Sequence, residues 1–281
     1  MARVANKLPG GARVGDYVSL GVIAKTFPAR EVDRILSETG KQSQRHRALP
    51  ANVTLYYCIA LGLYMQVSCR EVLRWLLDGL NQLSVFNCKV RVACKSGITQ
   101  ARQRLGSEPL KRLHDEVVGP IATETTRGAY YRRWHLVSLD ASTLDVADTK
   151  QNEETFGRPG ASRGESAYPQ IRFTSLVENG THVLFGSSMG AYSTGETTLA
   201  RDVIGKLRPG MLCLADRNFF SYELWRESQA TGADLLWRVK KNLRLELLER
   251  FDDGSYLSVI YPSEKDRRGN TNGVYVRVIE Y

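Results

Sequence analysis

Near Trp134 the apolar residues of this chain stop recurring at helical spacing and begin to alternate. A chain whose hydrophobic period changes from about 3.6 to 2 must pass from one kind of layer to another. From Tyr17 to about Gly119 the spacing predicts helices. Phe27-Pro28-Ala29-Arg30-Glu31 opens one, with Pro near its first turn and Val32, Ile35 and Leu36 on one face. Leu49-Pro50 precedes a second that runs through Leu63. Its apolar stretch, 53–67, is broken by polar residues and shorter than the roughly 20 residues of a membrane span, so it reads as a buried helix. Ser68-Cys69-Arg70-Glu71 opens a third, ending near Gly79. Ser96 is placed to cap a fourth over 97–105, and a fifth follows Pro109 with Leu110, Leu113, Val117 and Val118 on one face.

From Trp134 onward the alternation predicts strands at 134–140, 170–177, 181–189, 211–216 and 234–240, with helices near 195–207 and 221–231. Three strands followed by helix, strand, helix, strand give a mixed sheet with helices packed on it. After Lys241 come short alternating segments with turn signals at Asp253-Gly254 and Gly269-Asn270, the start of a β-rich insertion. Val274 to Tyr281 alternates with no closing element after it, which predicts a domain incomplete at its C-terminus. The fold class expected is therefore α+β or α/β. A flexible arm (1–16) leads into a helical domain (17–120), and a mixed-sheet domain follows (121–281).

Charge divides the chain at the same place. The net charge is +9. Residues 1–120 hold 18 Lys and Arg against 9 Asp and Glu, whereas residues 121–281 hold 21 of each sign. A basic helical module joined to a neutral sheet module suggests a polyanion-binding piece attached to something else. The five cysteines, Cys58, Cys69, Cys88, Cys94 and Cys213, are odd in number and include no C-x-x-C pair. That argues against a disulfide framework and against a zinc ribbon. No secretory leader pattern opens the sequence, so a cytoplasmic protein is expected.

Two of the predicted strands deliver an aspartate. One reads Trp134-His-Leu-Val-Ser-Leu-Asp140, and the other Met211-Leu-Cys-Leu-Ala-Asp216, followed by Arg217-Asn-Phe-Phe220. Carboxylates at the ends of neighbouring strands can share a metal site, and oxygen ligands suit magnesium. Phosphodiester cleavage by two metal ions needs such groups to hold the ions about 4 Å apart. Taken alone, the two aspartates are equally compatible with turn or cap roles.

The flanking residues narrow the choice. Leu139-Asp140-Ala141-Ser142-Thr143-Leu144-Asp145, Leu214-Ala215-Asp216-Arg217-Asn218-Phe219 and Trp237-Arg238-Val239-Lys240 resemble the catalytic domain of DDE transposases of the bacterial IS-four type. The segment Ser96-Gly97-Ile98-Thr99-Gln100-Ala101-Arg102-Gln103-Arg104-Leu105-Gly106 is similar to that family's N-terminal domain. The resemblance covers nearly the whole chain. It implies a ribonuclease-H-like catalytic domain behind a helical DNA-binding domain, magnesium or manganese as cofactor, and cut-and-paste strand transfer. It also implies double-stranded DNA partners (transposon terminal repeats and target DNA), a homodimer on DNA, no membrane association, and a nucleoid-associated place in a bacterial cytoplasm. By position Asp140 matches the first catalytic carboxylate and Asp216 the second. The family's third is a Glu on a helix in the pattern Tyr-x2-Arg-x3-Glu-x6-Lys, and no such pattern follows Asp216. Glu246 and Glu249 lie in the insertion and are not candidates. A chain with two of three carboxylates is expected to bind metal more weakly. The alternative to a working transposase is a remnant that binds DNA without cutting it. A metal-dependent nuclease of another ribonuclease-H-like family is a third reading.

Candidate phosphate contacts are Arg102, Arg104, Lys111 and Arg112 on the basic helices. Arg217, beside Asp216, and Arg238, Lys240 and Lys241, after the last sheet strand, join them. Asp145, Asp148, His135, Trp134 and Trp237 are read as structural or surface residues.

Overall fold

The change of period near Trp134 falls just inside the second of two compact units, Met1–Val118 and Gly119–Tyr281. The computed structural model describes residues 20–45, 49–82, 92–161, 164–165 and 168–280. The arm at 1–16 and Cys88 lie outside the described residues.

The first unit holds six helices among the described residues: α1 (Leu20–Thr26), α2 (Ala29–Glu38), α3 (Ala51–Leu63), α4 (Cys69–Gln82), α5 (Lys95–Leu105) and α6 (Glu108–Val117). Their apolar stripes meet in one core of Val32, Ile35, Leu36, Leu55, Tyr56, Leu73, Leu76 and Leu113. As its composition predicts, α3 is buried along most of its length. Its tyrosines carry their hydroxyls inward. Tyr56 donates to the Phe27 carbonyl at 2.5 Å and Tyr57 to the Cys69 carbonyl at 2.9 Å, so neither buried hydroxyl is left without an acceptor.

Three helix boundaries differ from expectation. Ser96 does not cap α5, which begins at Lys95, so Ser96 sits inside the first turn. α4 runs past Gly79 to Gln82, because a lone glycine costs a helix only about 1 kcal/mol and does not stop it. Val118 takes extended backbone after α6 and so leaves the face it was assigned to.

The second unit is built on one sheet. Its strands are β1 (Tyr130–Tyr131), β2 (Trp134–Asp145), β5 (Gln170–Glu178), β6 (Leu184–Ala191), β7 (Met211–Ala215) and β8 (Asp234–Trp237), in the order β6-β5-β2-β7-β8, with β1 beside β2. β2, β5 and β6 run antiparallel, while β7 and β8 run parallel to β2. Helix α8 (Glu196–Ile204) crosses from β6 to β7, and α9 (Tyr222–Gln229) from β7 to β8. A short helix, α7 (Lys150–Phe156), and a small hairpin, β3 (Gly160–Ala161) with β4 (Gly164–Glu165), lie between β2 and β5.

The sheet is covered unequally. Val137, Leu139, Leu176, Cys213, Ala215 and Trp237 point to one face and are buried, with Leu199, Ala200, Val203 and Leu224 of α8 and α9 among the unit's other buried residues. The opposite face carries Leu136, Leu212, Leu214 and Phe173 half-buried, with Leu236, Met189 and Leu144 exposed. Parallel strands are normally covered on both faces.

The strands depart from expectation beside the first aspartate and in two bounds, since β6 starts at Leu184 rather than 181 and β8 stops at Trp237 rather than 240. β2 does not end at Asp140. It continues to Asp145 because β5 keeps pairing with it as far as Gln170, while β7 stops opposite Leu139. The final segment pairs with the strand before it. β11 (Val274–Val278) pairs along its whole length with β10 (Tyr256–Ile260), and β9 (Glu249–Arg250) completes a three-stranded antiparallel sheet, with α10 (Glu264–Gly269) between β10 and β11.

Between β5 and β6, Gly180 has φ +89, and a Cβ there would lie 2.8 Å from both the Ala129 nitrogen and the Arg127 carbonyl oxygen. Gly180→Ala is therefore expected to destabilise this unit by at least the roughly 1–3 kcal/mol of a strained backbone, and more if the 127–129 segment must move. The urea midpoint measures the loss, and an unchanged midpoint would contradict the packing.

Candidate functional site

Three residues stand side by side where the parallel strands stop. Leu139 is level with Ala215, and Ala215 with Trp237. One residue further along each strand come Asp140, Asp216 and Arg238, on the half-exposed face of the sheet. Side chains at matched positions on neighbouring parallel strands point the same way, and their backbones are about 4.8 Å apart. The register thus brings the two aspartates to neighbouring positions at one edge of the sheet, although the sequence separates them by a helical crossover. All three side chains are exposed. Asp140 Oδ1 accepts from the amide of Ala141 at 2.9 Å. Arg238 Nη1 lies 3.9 Å from Asp216 Oδ1, so Arg238 rather than Arg217 is the cation beside this carboxylate.

The pair suits a hard divalent cation. Magnesium keeps several waters and is held through one or two carboxylates, without an all-protein cage. Two adjacent exposed carboxylates meet that requirement. Among the described residues no third His, Cys, Asp or Glu joins them. Asp145 accepts from Gln170 Nε2 at 2.7 Å, and Asp148 is held by Arg158 at 2.5 Å. Glu249 lies in the separate three-stranded sheet, and Glu246 in the exposed segment leading to it.

The candidate phosphate contacts fall into two groups. Lys111 pairs with Asp115 at 2.8 Å. Arg112 pairs with Glu116 at 2.8 Å and with Glu38, in a cluster where Arg34 also holds Glu31, Glu38 and Glu116. These contacts tie α2 to α6, and they hold the Glu116 carboxyl below its usual range through Arg34 first and Arg112 second. Arg102 lies beside the Cys58 thiol, whose pKa burial raises and Arg102 partly restores. Arg104, Arg217, Lys240 and Lys241 are exposed, and among the described residues no carboxylate lies within ion-pair distance of any of them.

The residues read as structural divide as well. Trp237 is buried edge-to-face against Trp225 at 5.3 Å. Trp134 is half-exposed and donates to Asp234 at 2.6 Å. His135 Nε2 approaches Glu178 Oε1 at 2.7 Å, in an ion-pair contact without the alignment of a hydrogen bond. Glu178 itself escaped the sequence reading. It is fully buried at the end of β5, where it accepts from the amides of Ile121 and Ala122 at 3.0 Å and from the Thr181 hydroxyl. Burial alone would raise its pKa. These donors, with His135 beside it, more than offset that and hold the carboxyl below the ordinary range. Glu before Asn-Gly reads locally as a turn residue, and nothing nearby marks it as an anchor.

Comparison with known proteins bears on the family. Residues 17–115 match the family described as insertion element 4 transposase N-terminal. Residues 135–280 match the transposase DDE domain family. The chain belongs to the IS4-type DDE transposases. Among curated Escherichia coli (strain K12) proteins, it is 23% identical over 272 residues to transposase InsG for insertion sequence element IS4, covering 95% of this chain and 58% of that protein. It is 24% identical over 240 residues to the putative transposase InsZ, covering 82% of this chain and 75% of that protein. The chain thus spans little more than half the length of InsG. Among solved structures, the piggyBac transposase synaptic complex with hairpin DNA aligns over 95% of this chain and 62% of its own, with a TM-score of 0.40 and 13% identity. No helix among the described residues is long and apolar enough to cross a membrane.

Proposed function

We propose that this IS4-type chain acts on DNA, its helical unit binding element ends and its sheet unit cutting and joining strands with a divalent cation, magnesium or manganese, held by Asp140 and Asp216. One observation carries the reading. Asp140 and Asp216 each come one residue after the last level pair of the neighbouring parallel strands β2 and β7, Leu139 and Ala215, and both are exposed. Such a cation, when bound, polarises a phosphoryl oxygen and lowers the pKa of a bound water. Asp140 and Asp216 supply its negative first ligands. Arg238 balances charge beside Asp216, and Arg217, Lys240 and Lys241 meet the DNA backbone on either side. The strand order, three antiparallel strands followed by two parallel ones across helical crossovers, supports a ribonuclease-H-like sheet. Double-stranded terminal repeats and target DNA are the partners this reading requires, and joining paired ends requires two copies on the DNA.

A second reading, DNA binding without cutting, is favoured by the absence of a third ligand among the described residues. The half-exposed apolar face around the pair supports completion by a further helix, the element on which the family carries its third carboxylate. The test is cleavage of a supercoiled plasmid bearing the chain's own flanking DNA, with and without magnesium. Nicking that needs the metal and disappears in Asp140→Asn supports the first reading. Retarded migration of the plasmid without nicking supports the second.

Within the helical unit, Arg104→Gln is expected to weaken duplex binding and to reduce the slope of log K against log salt by about 0.9, the effect of one phosphate contact. Arg112→Gln should mainly lower the melting temperature, because Arg112 links α2 to α6. Fluorescence anisotropy and thermal melting separate the two, and the opposite pattern would reverse the assignment.

A further inference from the structure

Tyr130-Tyr131-Arg132-Arg133-Trp134-His135 forms a tight hairpin at the start of β2, with Tyr130 level with His135, Tyr131 with Trp134, and only two residues at its tip. Both tip residues are arginines, and both are exposed. Arg132 is held at φ +54, in the left-handed region that a residue with a Cβ enters at a cost. Asparagine or glycine would fill that position with less strain, so the sequence of the tip is not explained by the turn alone.

The aromatic rings around the tip are ordered in pairs. Tyr130 and His135 stack at 4.8 Å and Tyr131 and Trp134 at 6.3 Å, nearly parallel in both cases. The Arg132 guanidinium lies 5.6 Å from the centre of the Tyr131 ring, and that of Arg133 4.9 Å from the Trp134 ring. Among the described residues, no carboxylate lies within ion-pair distance of either arginine. Of the acidic groups the hairpin meets, Asp234 accepts from the Trp134 indole and Glu178 lies against His135. Each guanidinium is therefore laid on a ring, with its N–H edge left for another acceptor. In a unit of zero net charge, two adjacent arginines arranged in this way are presented for a planar, doubly negative acceptor. A guanidinium fork matches a phosphate in two parallel hydrogen bonds, and stacking on a ring lowers the entropy lost when those bonds form.

We propose that this hairpin is a DNA phosphate clamp, with Arg132 and Arg133 gripping the backbone of a duplex bound at the sheet's carboxylates. The proposal rests on the DNA-acting reading above. Asp140 lies six positions along β2 from Trp134, which is about 20 Å of strand and about six base pairs of duplex. The clamp would thus hold the duplex at a distance from the site of chemistry and fix its direction along β2.

The test compares wild type, the double variant Arg132→Gln/Arg133→Gln, and a charge-matched control, Lys150→Gln/Lys265→Gln, on a labelled duplex of about 30 base pairs between about 50 and 200 mM salt. The expected result is a slope of log K against log salt shallower by about 1.8 in the hairpin variant, with affinity at least about tenfold lower at 0.1 M salt, and no change in the control. Far-UV circular dichroism and melting establish that the hairpin variant is folded. Arg132→Lys/Arg133→Lys should keep the slope and lose part of the affinity, because an ammonium retains the charge but not the fork. If wild type binds and the hairpin variant keeps its slope, or the control loses as much, the clamp is wrong and the DNA-acting reading stands. If wild type does not bind at low salt, both are wrong.

Discussion

Asp140→Asn is expected to reduce divalent-cation-dependent strand cleavage by about a thousandfold or more, and Asp216→Asn to do the same. A metal ion contributes several kcal/mol to the transition state of phosphoryl transfer, and each 1.36 kcal/mol is tenfold in rate. Asparagine keeps the size and removes the charge, so an anionic ligand to the cation is lost while the strand is preserved. Both side chains are exposed, so neither replacement disturbs the core. The melting temperature should therefore hold in both variants while cleavage is lost. A variant that loses both activity and fold would count against a role at the metal. Should the chain bind DNA without cutting, the same substitutions are read through manganese affinity, measured from the paramagnetic signal of the free ion.

The second large effect lies at Glu178, away from the carboxylate pair. Glu178→Leu is expected to destabilise the sheet unit by about 3–5 kcal/mol, the usual result of removing one side of a buried charged network. The amides of Ile121 and Ala122 lose their acceptor, and His135 loses its partner. Because the folded carboxyl sits below its ordinary pKa, its contribution is present above the unfolded value of about 4.3 and is lost as pH falls through the folded value. Urea midpoints of wild type and variant should thus lie far apart at pH 7 and converge as the solution is acidified below about pH 4. A constant gap across that range would show that Glu178 acts through packing alone.

The fold is most legible in the sequence where one residue type reports one physical demand. Alternation at 134–140 and 211–216 marks which positions face inward, and the buried Val137, Leu139, Met211, Cys213 and Ala215 follow it. The register between those strands has no local signal, because pairing is settled by which neighbours cover which face. The alternation therefore could not reveal that Asp140 lies within a long strand whose parallel partner stops beside it. The arginines show the same limit. Nothing local distinguishes Arg112, held among glutamates from its own and another helix, from Arg104, which has no such partners among the described residues. Glu178 and the hairpin tip were missed for a related reason, since their meaning comes from residues that only folding brings near.

Manganese-induced broadening of backbone amide signals tests the central claim most directly. Manganese added in small amounts to the labelled chain should first erase the amides of Ala141 and Arg217, each next to one of the paired aspartates. The effect should vanish together at both positions in either Asp140→Asn or Asp216→Asn. Broadening that starts elsewhere, or that survives at one aspartate when the other is replaced, would contradict a shared site.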